Sequence, residues 1–412
     1  MTDIVVARIM DDLNALAEFG TSPAGGVDRT TYSDSYRAAV EWLSARCRDA
    51  GMRVREDAAG NLIARLGPEG QPAVVTGSHI DTVPGGGIYD GALGVLAGVE
   101  CARLLAGRAK SLPLGFEVIA FADEEGAYIS LSGSRAMTGS LTAGEVETAR
   151  GRDGAPLHEA MRGYGLDPMR IVDAERSNAE IAAYVELHIE QGPVLEAAGR
   201  DIGIVTDIVG LHTSEVLFRG EANHAGTTPL HLRKDAMRAA AATITECFAF
   251  IERDFPPDAR LTYGDIAISP GASNVVPGDE RLAQEIRAIR KEDIERAYEM
   301  AGATAERLAA AREVEVTSNV RSFNTPVAMS DHVTATIEDV CNDLGIEPVR
   351  MPSGAGHDAQ IMAARWNCGM IFVPSRGGIS HNSAEETGVA EIETGARVLF
   401  RALDGLLHQT AT

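Results

Sequence analysis

The chain lacks most of what would tie it to a membrane, a disulfide scaffold or a nucleic acid. Its five cysteines, Cys47, Cys101, Cys247, Cys341 and Cys368, are scattered, odd in number and free of C-x-x-C spacing. That pattern points away from a disulfide framework and a thiolate metal site, and it fits a reducing cytoplasm. Basic residues are scarce: 37 Lys and Arg stand against 60 Asp and Glu, a formal charge of −23. A protein that grips phosphates needs a basic face, so nucleic acid and anionic membrane surfaces are not expected partners, and small molecules are. No apolar run approaches the length of a membrane span. Val5, Ile9, Leu13 and Leu16 recur at helical spacing among acidic residues, so the opening segment reads as an amphipathic helix and not as a signal peptide. Repeats at solenoid periods, low-complexity tracts and long charge blocks are also missing.

What is present supports a large core. A length of 412 residues with 45% apolar content exceeds the usual size of one compact domain, so two are expected. From Val74 to Ala122, apolar strands alternate with a helical stretch, and further apolar strands follow at Ile181 to Ile189 and Gly369 to Val373. This predicts an α/β core with a mixed, largely parallel sheet flanked by helices. The stretch from Leu211 to Phe323 reads differently. Strands are predicted at Ser214 to Arg219, Leu261 to Ile268, Arg281 to Ile289 and Val314 to Val320, and helices at Asp235 to Glu252 and Glu292 to Ala311. The resulting order, βαββαβ, is that of a ferredoxin-like module. Residues 1–210 and 325–412 are therefore expected to form the main domain and 211–324 an inserted one, with hinge strands near Gly210 and Asn324.

Four motifs carry candidate chemistry, each at the end of a predicted strand, where open α/β sheets gather their ligands. Gly77-Ser78-His79-Ile80-Asp81 follows the strand at Val74. If that strand continues, His79 and Asp81 share a face, which suits a histidine ligand with a carboxylate oriented behind it. The glycines at 85, 86 and 87 allow a tight turn that returns Asp90 to the same place. Taken alone, H-x-D is common and could be incidental. Asp123-Glu124-Glu125 follows the strand Phe116 to Ala122; three carboxylates there are costly without a balancing positive charge, although a solvated acidic turn is the rival reading. His188 in Glu186-Leu187-His188-Ile189-Glu190-Gln191 and His381 in Ser380-His381-Asn382 could each be an ordinary core or loop histidine. Together with Asp90 and Glu125 they make a histidine and carboxylate set that suits zinc, with manganese or cobalt as alternatives. Neighbouring side chains diverge, so one of the two glutamates can bind metal while the other faces an activated water as general base.

These motifs, with Asn223-His224-Ala225-Gly226-Thr227-Thr228-Pro229, Ser273-Asn274-Val275-Val276-Pro277-Gly278 and Gly354-Ala355-Gly356-His357-Asp358-Ala359, resemble the M20 superfamily of dinuclear metal amidohydrolases. The resemblance runs almost end to end, to the branch of N-carbamoyl-L-amino-acid hydrolases, β-ureidopropionases and allantoate amidohydrolases. It implies a zinc-peptidase-like core. His79 and His188 complete one metal site, Glu125 and His381 the other, Asp90 bridges them, and Glu124 is the base, with Asp81 counted beside it as catalytic. It further implies substrate binding by Gln191, His224, Asn274, Arg287, Gly356 and His357, and a homodimer formed through the inserted domain. Arg287 offers a planar fork suited to a substrate carboxylate, though a strand surface salt bridge is an equal reading. The implied activity is hydrolysis of a linear amide or ureido bond in a small N-substituted amino acid, with N-carbamoyl-L-amino acids first. N-acyl-amino-acid deacylase, dipeptidase, allantoate amidohydrolase and a non-catalytic binding protein are the alternatives. The chain departs from the branch after Glu125-Gly126, where arginine and phenylalanine are usual and Ala127-Tyr128-Ile129 stands here.

Overall fold

A computed structural model describes residues 3–409; residues 1–2 and 410–412, which the expected main domain includes, lie outside the described residues. The charged edge strand β1 (Arg53–Glu56) comes first, and largely apolar runs bounded by glycine, proline and acidic turns become β2 (Leu62–Leu66), β3 (Ala73–His79), β4 (Gly115–Phe121), β5 (Ile181–Ile189) and β6 (Gly203–Ile208). The chain then builds β7 (Gly210–Arg219), β8 (Asn223–His224), β9 (Arg260–Ser269), β10 (Val275–Val276), β11 (Asp279–Ala288) and β12 (Glu315–Asn324). It ends with β13 (Val327–Ala328), β14 (Val349–Ser353) and β15 (Cys368–Val373).

The nine-stranded main sheet runs β1-β2-β4-β3-β5-β15-β6-β13, with β14 beside β6. Its middle strands β4, β3, β5 and β15 are parallel, and the pairs toward both edges are antiparallel. Every residue of β3, β4 and β15 is buried, which a sheet tolerates only when both faces are covered. The helices Ala92–Leu105 and Val389–His408 pack against these strands. At the start of the described chain, helix Val6–Ala17 buries Ile9, Leu13 and Leu16; Val5 precedes the helix and is exposed. Because four adjacent strands point the same way, their carboxyl ends meet along one rim of the sheet. That rim is where loops can collect polar side chains over an apolar floor.

The contacts divide the chain into two compact units, one reaching Thr206 and resuming at Met329, the other Asp207–Ala328. In the second unit the strands lie in the order β12-β7-β11-β9, antiparallel throughout. Burial alternates along β7 and β11, so one face carries the helices Ala236–Asp254 and Lys291–Ala310. The succession is βαββαβ with the first and third long strands central, the ferredoxin-like arrangement. The connecting segments pair with each other, Ile208 opposite Val327 and Asp207 opposite Ala328, which is why the unit begins a few residues before Leu211.

A buried carboxyl interrupts the apolar face of this unit. Glu280 is 1% exposed on the helix-facing side of β11, and neither carboxyl oxygen has a hydrogen-bond partner among the described residues. Burial pushes its carboxyl up to about 7. An unfolded chain ionises earlier, in the ordinary carboxylate range. Stability is therefore fully present at low pH, falls as pH rises from roughly 5 through about 7, and levels above. Glu280→Gln removes the titration. Its unfolding midpoint relative to the parent is expected to improve from about pH 5 to about pH 8 in thermal melts; a pH-independent difference would show that Glu280 is solvated.

Candidate metal centre

The parallel strands deliver the motif residues to one rim. His79 is the last residue of β3, the Asp123-Glu124-Glu125 turn follows β4, His188 lies at the end of β5, and the loop with His381 follows β15. Asp90 precedes the helix Ala92–Leu105, and the Gly91 between them is obligatory. A Cβ at Gly91 would lie 2.4 Å from the His79 ring, and its φ of 64° is one that side chains rarely adopt. Backbone strain gathers here too, with positive φ at Asp123, Gln191 and His381.

Around Asp90 the groups form two triads. His79, Asp90 and His188 converge within 4.8 Å of one another, as do Asp90, Glu125 and His381. Asp90 Oδ1 faces His188 Nε2 at 3.2 Å and His79 Nε2 at 3.7 Å. Asp90 Oδ2 faces His381 Nε2 at 3.3 Å, and His381 Nε2 lies 3.6 Å from Glu125 Oε2. The other ring nitrogens are engaged: His79 Nδ1 donates to the Asp81 carbonyl at 3.0 Å and His188 Nδ1 to the Ile189 carbonyl at 2.8 Å. Those bonds place the proton on Nδ1 and turn the Nε2 lone pairs toward the Asp90 carboxylate. Acceptors then face acceptors, and buried His188 Nε2 has no hydrogen-bond partner among the described residues. Positive charge between them resolves the conflict, a proton on Nε2 or a metal cation, and the gathered histidine and carboxylate donors fit divalent metal.

The electrostatics agree. Burial works against ionisation of Asp90, yet the three imidazoles hold it well below the ordinary carboxylate range. Burial also opposes charge on His79, but Glu124, Asp90 and Asp81 outweigh it and raise the ring well above its usual value. His188 is raised against burial by Asp90 and Glu186, and His381 chiefly by its bond to Asp90. Burial pushes Glu125 up to about 7. These carboxylates demand more positive charge than the protein side chains supply. A third group, Glu186, His188 and His357, also converges, but Glu186 already accepts from Ser78, Tyr184 and the Ala359 amide. Those donors satisfy it without an ion.

The structure sorts the remaining sequence candidates. Gln191 joins the centre, its Nε2 donating to Asp90 Oδ2 at 3.0 Å. His357 stacks edge-on against His188 at 4.5 Å and bonds Ser353; burial lowers it well below its usual value, so the ring is neutral. Gly356 immediately precedes it, before the helix Asp358–Met362. His224 and Asn274 lie in the inserted unit on the β8–β10 ribbon, where the Asn274 carbonyl accepts from Ala225 and His224 Nδ1 accepts from Gly226 and Thr227. Arg287 is on β11, with Nε on Glu285 at 2.7 Å. Asp81 corrects one expectation. β3 ends at His79, and the imidazole bonds the Asp81 main chain, not its carboxylate, whose Oδ1 stays 3.7 Å away. The Asp81 carboxylate instead accepts the Glu125 amide at 3.1 Å, steadying the neighbouring ligand.

Support for this rim comes from the segment 27–31, which sequence reading passed over because it has no periodic pattern. Thr31 accepts the Asp123 amide. Arg29 is 1% exposed and donates to the carbonyls of Ile80, Leu16 and Phe19. Burial lowers its guanidinium to about 10, with Asp81 opposing. It thus pins the turn after His79 to the end of the first helix.

An α/β core with a histidine and carboxylate centre suited to divalent metal is the class that fold and site define. Within it, the chain belongs to peptidase family M20/M25/M40, whose model matches residues 75–405. Among its relatives, the N-carbamoyl-L-amino acid amidohydrolase of Geobacillus stearothermophilus is 40% identical over 402 residues, covering 96% of this chain and 97% of that one. The allantoate amidohydrolase of Bacillus subtilis (strain 168) is 35% identical, covering 98% and 97%. A crystal structure of an amidase of the hydantoinase/carbamoylase family from Burkholderia multivorans superposes with a TM-score of 0.92 at 30% identity, over 99% of both chains.

Loss of the Arg29 brace leaves three carbonyls without their donor. Arg29→Met is expected to cost about 3 kcal/mol of stability in a denaturant titration; a variant as stable as the parent would show that water takes over those acceptors.

Proposed function

We propose that this chain is a dinuclear metal amidohydrolase that cleaves the ureido C–N bond of an N-carbamoyl-L-amino acid. The observation that carries the reading is Asp90, one carboxylate shared by two ligand triads, with Glu124 beside them at 3.6 Å from His79 Nε2. The relatives named above support the choice of bond. Histidine and carboxylate donors without thiolate favour zinc, with manganese or cobalt as alternatives. Two such ions supply Lewis acidity toward a carbonyl oxygen and lower the pKa of water to roughly 7.

The side chains divide the remaining work. Burial holds the Glu124 carboxyl well above its ordinary range against the pull of His79, and Glu125, Asp358 and Asp81 add to it. When ionised, Glu124 is placed to accept a proton from the attacking water. The same proton then passes from Glu124 to the leaving amino nitrogen, and the carbamate released decomposes to ammonia and carbon dioxide. Gln191 and Asp81 keep Asp90 and the Glu125 backbone in place. In this reading His357, Gly356, His224 and Asn274 bind substrate, and Arg287 takes the substrate carboxylate through its planar fork.

The inserted unit serves as dimerisation domain and lid in this proposal. Its sheet ends in strands that expose Ile266 and Ile268 on one edge and Val320 and Phe323 on the other, surfaces that a second copy can cover. Five unpaired, buried cysteines support a cytoplasmic location. Allantoate amidohydrolase is the second reading, favoured by the Bacillus subtilis relative.

Protein reloaded with zinc, manganese or cobalt is expected to release ammonia from N-carbamoyl-L-amino acids in a panel that includes allantoate, N-acyl amino acids and dipeptides. Glu124→Gln should lower kcat by on the order of 10²- to 10⁴-fold with metal content unchanged. Turnover confined to allantoate would select the second reading, and none across the panel would overturn both.

A further inference from the structure

Glu385 lies in the loop after His381, outside any helix or strand, and is 6% exposed. Its Oε1 accepts the backbone amides of Tyr89 at 3.0 Å and Asp90 at 3.1 Å, across 296 and 295 residues of sequence. Its Oε2 accepts the Ser380 hydroxyl at 2.8 Å, and its own amide donates to Asn382 at 3.0 Å. One buried carboxylate thus joins the segment that carries Asp90 to the segment that carries His381. Burying that charge is unfavourable, and three donors offset the cost.

Gly87 is shaped around the same carboxylate. A Cβ there would lie 2.1 Å from Glu385 Oε1 and 2.4 Å from its Cδ. Gly87 does not have positive φ, so its missing side chain makes room for Glu385 and does not serve the backbone turn. Two residues distant in sequence therefore share one purpose.

We infer that Glu385 is a positioning residue that sets the separation of Asp90 and His381, and so decides whether the ion held by Asp90, Glu125 and His381 stays bound. The inference rests on the two-ion reading above. The two triads differ in how firmly they are built. His79 and His188 sit on buried strands with 3% and 1% side-chain exposure, whereas His381 is on a loop with 52%. Glu385 holds the Asp90 backbone, which both triads share, and the Ser380 loop that carries His381, which only the second triad uses, so its loss should weaken the second ion more than the first. Partners of this kind, one step behind the ligands, are worth on the order of 10- to 100-fold in metal affinity.

The test is calorimetric titration of metal-free, full-length protein with zinc, with elemental analysis and a thermal melt beside it. The parent should take up two ions. Glu385→Ala should weaken the second by on the order of 10- to 100-fold and the first by clearly less. Glu385→Gln retains an acceptor for both amides and should recover much of that loss. Gly87→Ala should reproduce the defect by displacing Glu385, and adding it to Glu385→Ala should cost nothing further. Should Glu385→Ala fail to fold, Gly87→Ala and Glu385→Gln decide the matter. Variants that bind both ions as tightly as the parent, or that lose both equally, overturn the inference alone. A parent that binds fewer than two ions overturns the two-ion reading and this inference with it.

Discussion

The fold is organised around a site that calls for positive charge: histidine nitrogens turned onto one shared carboxylate at the rim of a buried sheet. Hydrogen bonds from His79 and His188 to main-chain carbonyls commit their Nδ1 protons elsewhere, so both Nε2 atoms face Asp90 as acceptors. In a low-dielectric setting that arrangement is costly without added positive charge. Much of the surrounding structure holds the groups in this position against their mutual repulsion. Gly91 lets the His79 ring approach, Asp81 fixes the Glu125 backbone, Gln191 donates to Asp90, and Arg29 braces the turn beneath.

The parallel strands make this arrangement economical. Because β4, β3, β5 and β15 run side by side, a short polar extension on each reaches the same rim. Their apolar interiors carry the folding energy while the ends remain available for chemistry. The positive φ angles at Asp123, Gln191 and His381 show where the chain is bent to aim these ends. Such local strain persists when the packing behind it is tight, as it is for wholly buried β3, β4 and β15.

The inserted unit follows a different rule. Alternating burial along β7 and β11 leaves one face for its helices and the other less covered, so these strands follow a period-two pattern, whereas β3, β4 and β15 of the main sheet are buried at every residue. Glu280 departs from the period-two pattern most sharply, a carboxyl without a hydrogen-bond partner among the described residues where the pattern favours an apolar residue.

Sequence alone determined the alternation of strands and helices, the change of pattern near Leu211 and the chemical identity of the ligands, because each is written in local periodicity or in short motifs next to apolar runs. His79, Asp90, Glu125, His188 and His381 were legible for that reason. Tertiary structure alone decided what supports them. Arg29 and Thr31 sit in an aperiodic stretch, and Glu385 acts on an amide 295 residues away. It also showed that the partner of His79 is the carbonyl of Asp81 and not its carboxylate, since β3 stops two residues short of Asp81 and does not keep both side chains on one face. Hydrogen bonds between distant segments depend on where folding brings backbone amides and carbonyls, and every residue carries those groups alike, so no local pattern in the sequence marks them.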